Sequence, residues 1–207
     1  MNQRGGPSRV VIAEIGSAKN TGLSGKNVSQ IAELWQCAPE RAVIRLLVEE
    51  KAAVGAVYFS LSDEDVVTIL SSDQVSVGSD GMGMNAEEDR DTSTHPRSYG
   101  TFPRILGLYV REKRVLSMAK AVHKMTGLAA RRVGIKDRGF IQPGLAADLV
   151  LFDPLSIQDR STSDRPHQYA TGIVYAWVNG CPTVQDGRIT GNTPGKVLRR
   201  GGVSSRS

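Results

Sequence analysis

The apolar positions change period along the chain, and each change marks an element. Val10–Ile15 (VVIAEI) is a short β-branched run of the kind buried in a parallel sheet, and the polar loop GSAKNTGLSGKN follows it. From Ser29 onward, and again after Pro39, apolar residues recur at helical spacing (Ala42, Val43, Leu46, Leu47). Pro39 suits a first helical turn, where its missing N–H would have had no partner anyway. Val54–Phe59 returns to a strand pattern. Ser62 and Asp65 have capping-box spacing ahead of a short helical run that leads to a third β-type run, VSVGSDG (Val75–Gly81). Strand, helix and strand thus alternate up to Asp80, which predicts a parallel α/β arrangement.

Met82–Thr94 is rich in acidic and small polar residues and reads as a long surface loop. In the following HPRSYGTFPRILGLYVREK the second half has helical periodicity, Ser117 can cap a helix through AKAVHKM, and Gly127 and Gly134 punctuate what comes next. Beyond about Gly139 the texture becomes β-rich. Ala147–Asp153 (ADLVLFD) and Gly172–Val178 (GIVYAWV) are strand patterns, and Asn179-Gly180 and Asp186-Gly187 supply the residues of tight hairpin turns, so these pieces are expected to be antiparallel. The closing GGVSSRS is expected to be disordered.

Composition narrows the functional classes. The 207 residues are 40% hydrophobic, enough for a packed core, and carry a formal charge of +5 concentrated in short clusters such as Arg131-Arg132 and the Lys196–Arg200 tail. Only 5% are aromatic, which argues against a nucleic-acid face built on stacking. No window approaches the ~20 apolar residues of a membrane helix. The two cysteines, Cys37 and Cys181, form no ligand-spaced pair and suit a reducing, cytoplasmic setting.

The strongest single candidate for chemistry is Asp80. A carboxylate at the open end of a strand, followed by a glycine that lets the chain turn away, can hold a metal-bound water or take its proton. Asp-Gly also marks ordinary turns, and local sequence alone favours that reading. Arg97 offers a planar fork for a carboxylate but by itself reads as a loop residue; His95 stands two positions before it. His123 falls inside a helical segment and His167 in a proline-flanked loop. No HxH, HExxH, cysteine pair, nucleophile elbow or phosphate loop is present, so no zinc cage follows from spacing.

Taken in order, VGSDG, HPRSYGTFPRILG, MTGLAARRVGIKDRGFIQPGLAADLVLFDP and PHQYATGIVYAWVNG resemble the carboxyl-terminal part of the N-acyl-D-amino-acid deacylases, or D-aminoacylases, of the metal-dependent amidohydrolase superfamily. PGLAADLVLFD is shared across that superfamily, whereas HPRSYGTFPRILG after SDG is far more specific. The resemblance runs from about Val10 to Arg200. It implies a zinc-dependent hydrolase of the linear amide in N-acyl-D-amino acids, with Asp80 as the general base, and as a weak ligand of the metal. It further implies Arg97 as the grip on the D-amino-acid carboxylate, His95 as a shaper of that loop and Leu61 as an apolar lining of the side-chain pocket. The implied fold is α/β: residues 1–138 as the last βα units of a (β/α)8 barrel, 139–195 as strands of a small β-sandwich domain, and 196–207 as a tail.

One departure from the pattern sets the expectation for activity. The family's principal zinc ligands lie in a segment this chain lacks, Cys37 does not match the family's metal cysteine, and a whole barrel takes ~250 residues. The chain alone is therefore expected to be inactive. The alternatives are a split enzyme completed by an amino-terminal partner chain, whose pairing would cover exposed strand edges, and a non-catalytic remnant or binding module.

Overall fold

Val10–Ile15 forms β1 and Val54–Tyr58 forms β2 in the computed structural model, which describes residues 5–90, 94–163 and 165–200. Between them lie α1 (Val28–Leu34) and α2 (Pro39–Glu49). Asn27 and Gln30 form a reciprocal capping box at the start of α1, each accepting the other's backbone N–H at 2.9 Å, and Pro39 opens α2. One apolar core serves the four elements: Val10, Ile12, Leu23, Val28, Ile31, Ala32, Ala42 and Leu46 are buried, and the half-buried Val54 and Ala56 of β2 pack against them. Burying a side chain the size of Ile31 or Leu46 stabilises by about 1.5–3 kcal/mol.

The parallel arrangement expected for this region is corrected here, because β1 and β2 pair antiparallel from Val10 opposite Tyr58 to Ile15 opposite Val54. Gln36, with φ of 49°, ends the first helical run and Pro39 starts a second. Two successive helices reverse the chain once more than the single crossover helix a parallel pair needs. A polar cluster closes the same region: the buried Glu50 carboxylate accepts bonds from Ser17 N–H at 2.8 Å, Ser17 Oγ at 2.6 Å and Asn20 Nδ2 at 2.6 Å.

Residues 1–65 and 66–207 are two compact units, so the expected boundary at 138/139 falls inside the second of them. The helix α3 (Asp63–Ser71) begins in the first and ends in the second, and its expected cap is present, with Ser62 Oγ accepting Asp65 N–H at 3.1 Å. The second unit continues with α4 (Arg97–Arg104), which runs on as a π-helical segment, Ile105–Glu112. Pro103 inside α4 withholds an N–H, and the wider ladder beyond it shows in Lys113 N–H bonding Leu108 C=O at 2.7 Å. The helix thus occupies the first half of HPRSYGTFPRILGLYVREK as well as the second. Then come α5 (Met118–Met125), capped by Ser117, and α6 (Gly127–Val133), ended by Gly134 at φ 79°. Leu70, Ile105, Leu106, Tyr109, Leu116, Ala121 and Ile157 form the second core.

The carboxyl-terminal strands β3 (Leu149–Phe152), β4 (Ile173–Val178), β5 (Cys181–Gln185) and β6 (Arg188–Ile189) make a four-stranded antiparallel sheet in chain order, as the turn residues predict. Asn179-Gly180 and Asp186-Gly187 all have positive φ, from 49° to 78°, as tight hairpins require. The buried Arg138 ties the sheet's start to its first hairpin by pairing with Asp148 and donating to Asn179 Oδ1 at 2.5 Å. The expected disorder of 201–207 lies outside the described residues.

Candidate functional site

Val75–Gly81 is an irregular extended segment and not the strand its alternation suggests, a correction with a physical cause. The carbonyls that lead into it and the first of its own bond to side chains from α5 and α6 instead of a sheet. The buried Lys124 ammonium donates to Ser72 C=O and to Val75 C=O, the latter at 2.7 Å, and Arg132 donates to Gln74 C=O. Lys124 C=O in turn accepts Val77 N–H at 3.1 Å. Burial, with the nearby charge of Lys120 adding to it, pushes the Lys124 pKa down. Sequence periodicity alone does not expose this lysine, since a cation on a helix ordinarily faces solvent.

The pinned segment delivers Asp80 to the start of α4. Asp80 itself is in the left-handed region, φ 48°, which aspartate tolerates. Gly81 then passes so close to the helix that a Cβ there would sit 2.8 Å from Ser98 Cα and 3.1 Å from Arg97 C=O, which is why the position after the aspartate carries no side chain. Ser98 Oγ accepts Met82 N–H at 3.2 Å and meets Thr94 Oγ1 at 3.1 Å, so this serine, which sequence reasoning passed over, clips the loop onto the helix.

Three of the sequence-predicted residues converge here. Arg97 Nη2 lies 3.2 Å from Asp80 Oδ2, with the aspartate side chain 86% exposed and the arginine 47%. His95 Nδ1 accepts Arg97 N–H at 3.1 Å, which places the proton of the neutral ring on Nε2. Burial first, and then the Arg97 charge, holds the His95 pKa below its ordinary value. Leu61 belongs to the other unit, where it is 68% exposed.

An aromatic group extends the cluster. Tyr99, one turn from His95, shares a hydrogen bond of 3.0 Å with His167 Nδ1 and meets the Tyr169 ring edge-on at 5.7 Å. The Tyr169 hydroxyl accepts Ala86 N–H at 3.0 Å, so PHQYA anchors the loop that follows Asp80. His123 lies beside Phe140 with ring centres 6.4 Å apart, in keeping with a structural position.

The residues present do not fit the zinc that the resemblance implies. Among the described residues no three His, Cys, Asp or Glu side chains are grouped as a metal ion requires. What the cluster offers is an accessible carboxylate that can carry a proton and a guanidinium that can bind an anion. No helix among the described residues is long and apolar enough to cross a membrane.

Comparison with known proteins gives these residues a setting. An N-acyl-D-aspartate deacylase of Alcaligenes xylosoxydans xylosoxydans is 42% identical over 179 residues, 86% of this chain and 34% of that protein. A solved D-aminoacylase structure, one that defines a novel subset of amidohydrolases, superposes with a TM-score of 0.76 at 36% identity, covering 89% of this chain and 36% of that one. N-acyl-D-glutamate deacylase from Bordetella bronchiseptica, solved with zinc and a phosphonate inhibitor, gives 0.73 at 34% identity, covering 91% and 38%. The chain spans about a third of the length of the curated relatives it matches. The profile of the amidohydrolase family covers residues 47–184, well over half of the chain, which therefore belongs to the amidohydrolase family.

Proposed function

We propose that this chain carries the carboxyl-terminal part of a deacylase acting on the linear amide of N-acyl-D-amino acids. Asp80 is the proton carrier, Arg97 grips the free carboxylate of the D-amino acid, His95 shapes the loop between them and Leu61 lines the pocket for the side chain. The observation that carries the reading is the convergence of SDG and HPR, 16 residues apart in sequence, with Arg97 Nη2 3.2 Å from Asp80 Oδ2. Deacylases among the relatives supply the substrate class.

The remainder of the reading follows from the same resemblance. The segment holding Asp80 belongs to the end of a (β/α)8 barrel and the sheet β3–β6 to a small β-sandwich domain. Zinc is the family's metal, and its main ligands come from outside this chain, so the chain alone does not hydrolyse the amide. A separate amino-terminal chain is the second reading; it is supported by the apolar Val150 and Leu151 of β3, at one end of the sheet, which are 59% and 53% exposed. The two free cysteines suit a cytoplasmic protein.

A chimera tests the assignment. This chain replaces the matching third of the Alcaligenes D-aminoacylase, and release of free D-amino acid is measured with zinc present. The chimera is expected to be active and to lose about 10²–10⁴-fold on Asp80→Asn, the usual scale for a proton carrier. A folded, zinc-loaded chimera that releases nothing, or one indifferent to Asp80→Asn, overturns the reading. Zinc-dependent turnover by this chain alone refutes the expected inactivity.

A further inference from the structure

The two groups to which the proposed function gives separate tasks are bonded to each other. Arg97 has one planar fork, and the group at it is a carboxylate, the same chemical group that it would grip on an N-acyl-D-amino acid. We propose that Asp80 stands in for the substrate carboxylate at Arg97, so that a ligand bearing a free acid displaces Asp80 and releases it for proton transfer. This rests on the reading of Arg97 as the carboxylate grip. It adds the order of events and a substrate requirement: a carboxamide analogue can dock without freeing Asp80.

The geometry favours a side-chain exchange over a loop movement. The backbone on either side of Asp80 is held, by Val77 N–H to Lys124 C=O at 3.1 Å and by Met82 N–H to Ser98 Oγ at 3.2 Å, and Gly81 is pressed against Ser98. The Asp80 carboxylate, by contrast, is 86% exposed and meets the fork at 3.2 Å. An exposed pair of this kind is weak enough to exchange with an incoming carboxylate that can occupy both teeth of the fork.

Binding of N-acetyl-D-alanine and of its carboxamide to the 207-residue chain, followed by NMR titration, tests the exchange. Asp80→Asn removes the competitor while keeping a residue that accepts a left-handed backbone, and Asp80→Gly does the same should the first variant misfold. Each is expected to tighten binding of the acid by roughly two- to fivefold, the range an exposed ion pair can contribute, and to leave the carboxamide unchanged. Glu88→Gln, which removes a like charge from the adjoining loop, is expected to do neither. Arg97→Gln is expected to abolish the preference for the acid. If Arg97→Gln weakens acid binding while neither Asp80 variant tightens it, or if Glu88→Gln tightens it equally, the exchange is wrong and the grip stands. If Arg97→Gln has no effect, the grip itself is wrong and the exchange falls with it.

Discussion

The two units of the molecule are held by different kinds of force. In 1–65 a single apolar core joins two strands and two helices, and a polar cluster at Glu50 ties the loop after β1 to the end of α2. In 66–207 an apolar core also exists, but the segment that carries Asp80, 72–82, is fixed by directed bonds from an ammonium and a guanidinium and to a serine hydroxyl, and by one glycine without room for a side chain. Apolar burial is tolerant of direction, whereas hydrogen bonds set a position to a few tenths of an ångström. The Asp80 backbone is held by the second kind.

The largest effect is expected where burial is complete. Ile31 is 1% exposed at the centre of the first core, and Ile31→Ala should cost about 2–5 kcal/mol. Urea denaturation followed at Trp35, which packs against this core, reads that loss; a cost under 1 kcal/mol would mean that the core is not closed as described.

Lys124→Met should cost less, about 1–3 kcal/mol, by leaving the Ser72 and Val75 carbonyls without their donor. Its distinguishing mark is local. Amide exchange should accelerate at Val77 and Met82 while amides of the first core keep their protection, and uniform acceleration throughout would count against a directed tether. Gly81→Ala should cost on the order of 1 kcal/mol by overpacking, because the new Cβ would meet Ser98 backbone at 2.8 Å. The loop must lift from α4, so the side-chain signals of Arg97 should shift towards those of Asp80→Asn. Unchanged signals would show that Asp80 does not depend on this close approach.

Acid offers a gentler comparison of the two units. Hydrogen bonds from Arg45, then Asn20 and Lys19, lower the Glu49 pKa from 4.5 to about 2. A carboxylate depressed in the folded state contributes stability that is present above its unfolded value and lost as pH falls through the folded one. The first unit is therefore expected to weaken progressively between about pH 4.5 and 2, and Glu49→Gln should remove part of that dependence. An unaltered acid profile in the variant would sink the assignment.

How far this was legible in the sequence follows the same division. The apolar runs locate β1, α2 and β2, and the turn pairs locate β4–β6, since those elements are specified by local pattern. Their pairing direction was not legible in the first unit, because it depends on the helical run breaking at Gln36, where no glycine or proline signals a left-handed backbone. At the site, Asp80, His95 and Arg97 were visible through an ordered resemblance. Ser98 and Lys124 were not, because what they do depends on a neighbour 16 and about 50 residues away in sequence, a spacing with no periodic trace. The same absence of a local signal made Val75–Gly81 read as a strand when it is an extended tether.

The smallest expected effect is also the sharpest test of the cluster. His95 receives Arg97 N–H at Nδ1, and only the neutral ring can do so, since protonation at that nitrogen converts the acceptor into a donor. Its pKa is lowered by burial first and by the Arg97 charge second. For a base depressed in the fold, the unfolded chain binds more protons across the window between the two values, so stability rises with pH through that window, which ends near the ordinary value of 6.5. Arg97→Gln removes the charge and keeps the backbone N–H, so the His95 pKa should rise part of the way back, with burial holding the rest. The C2 proton of His95, titrated by NMR in both proteins, reads the change directly. A pKa that stays put would place the guanidinium away from the ring, whereas a full return to the ordinary value would mean that charge and not burial sets the protonation of this loop.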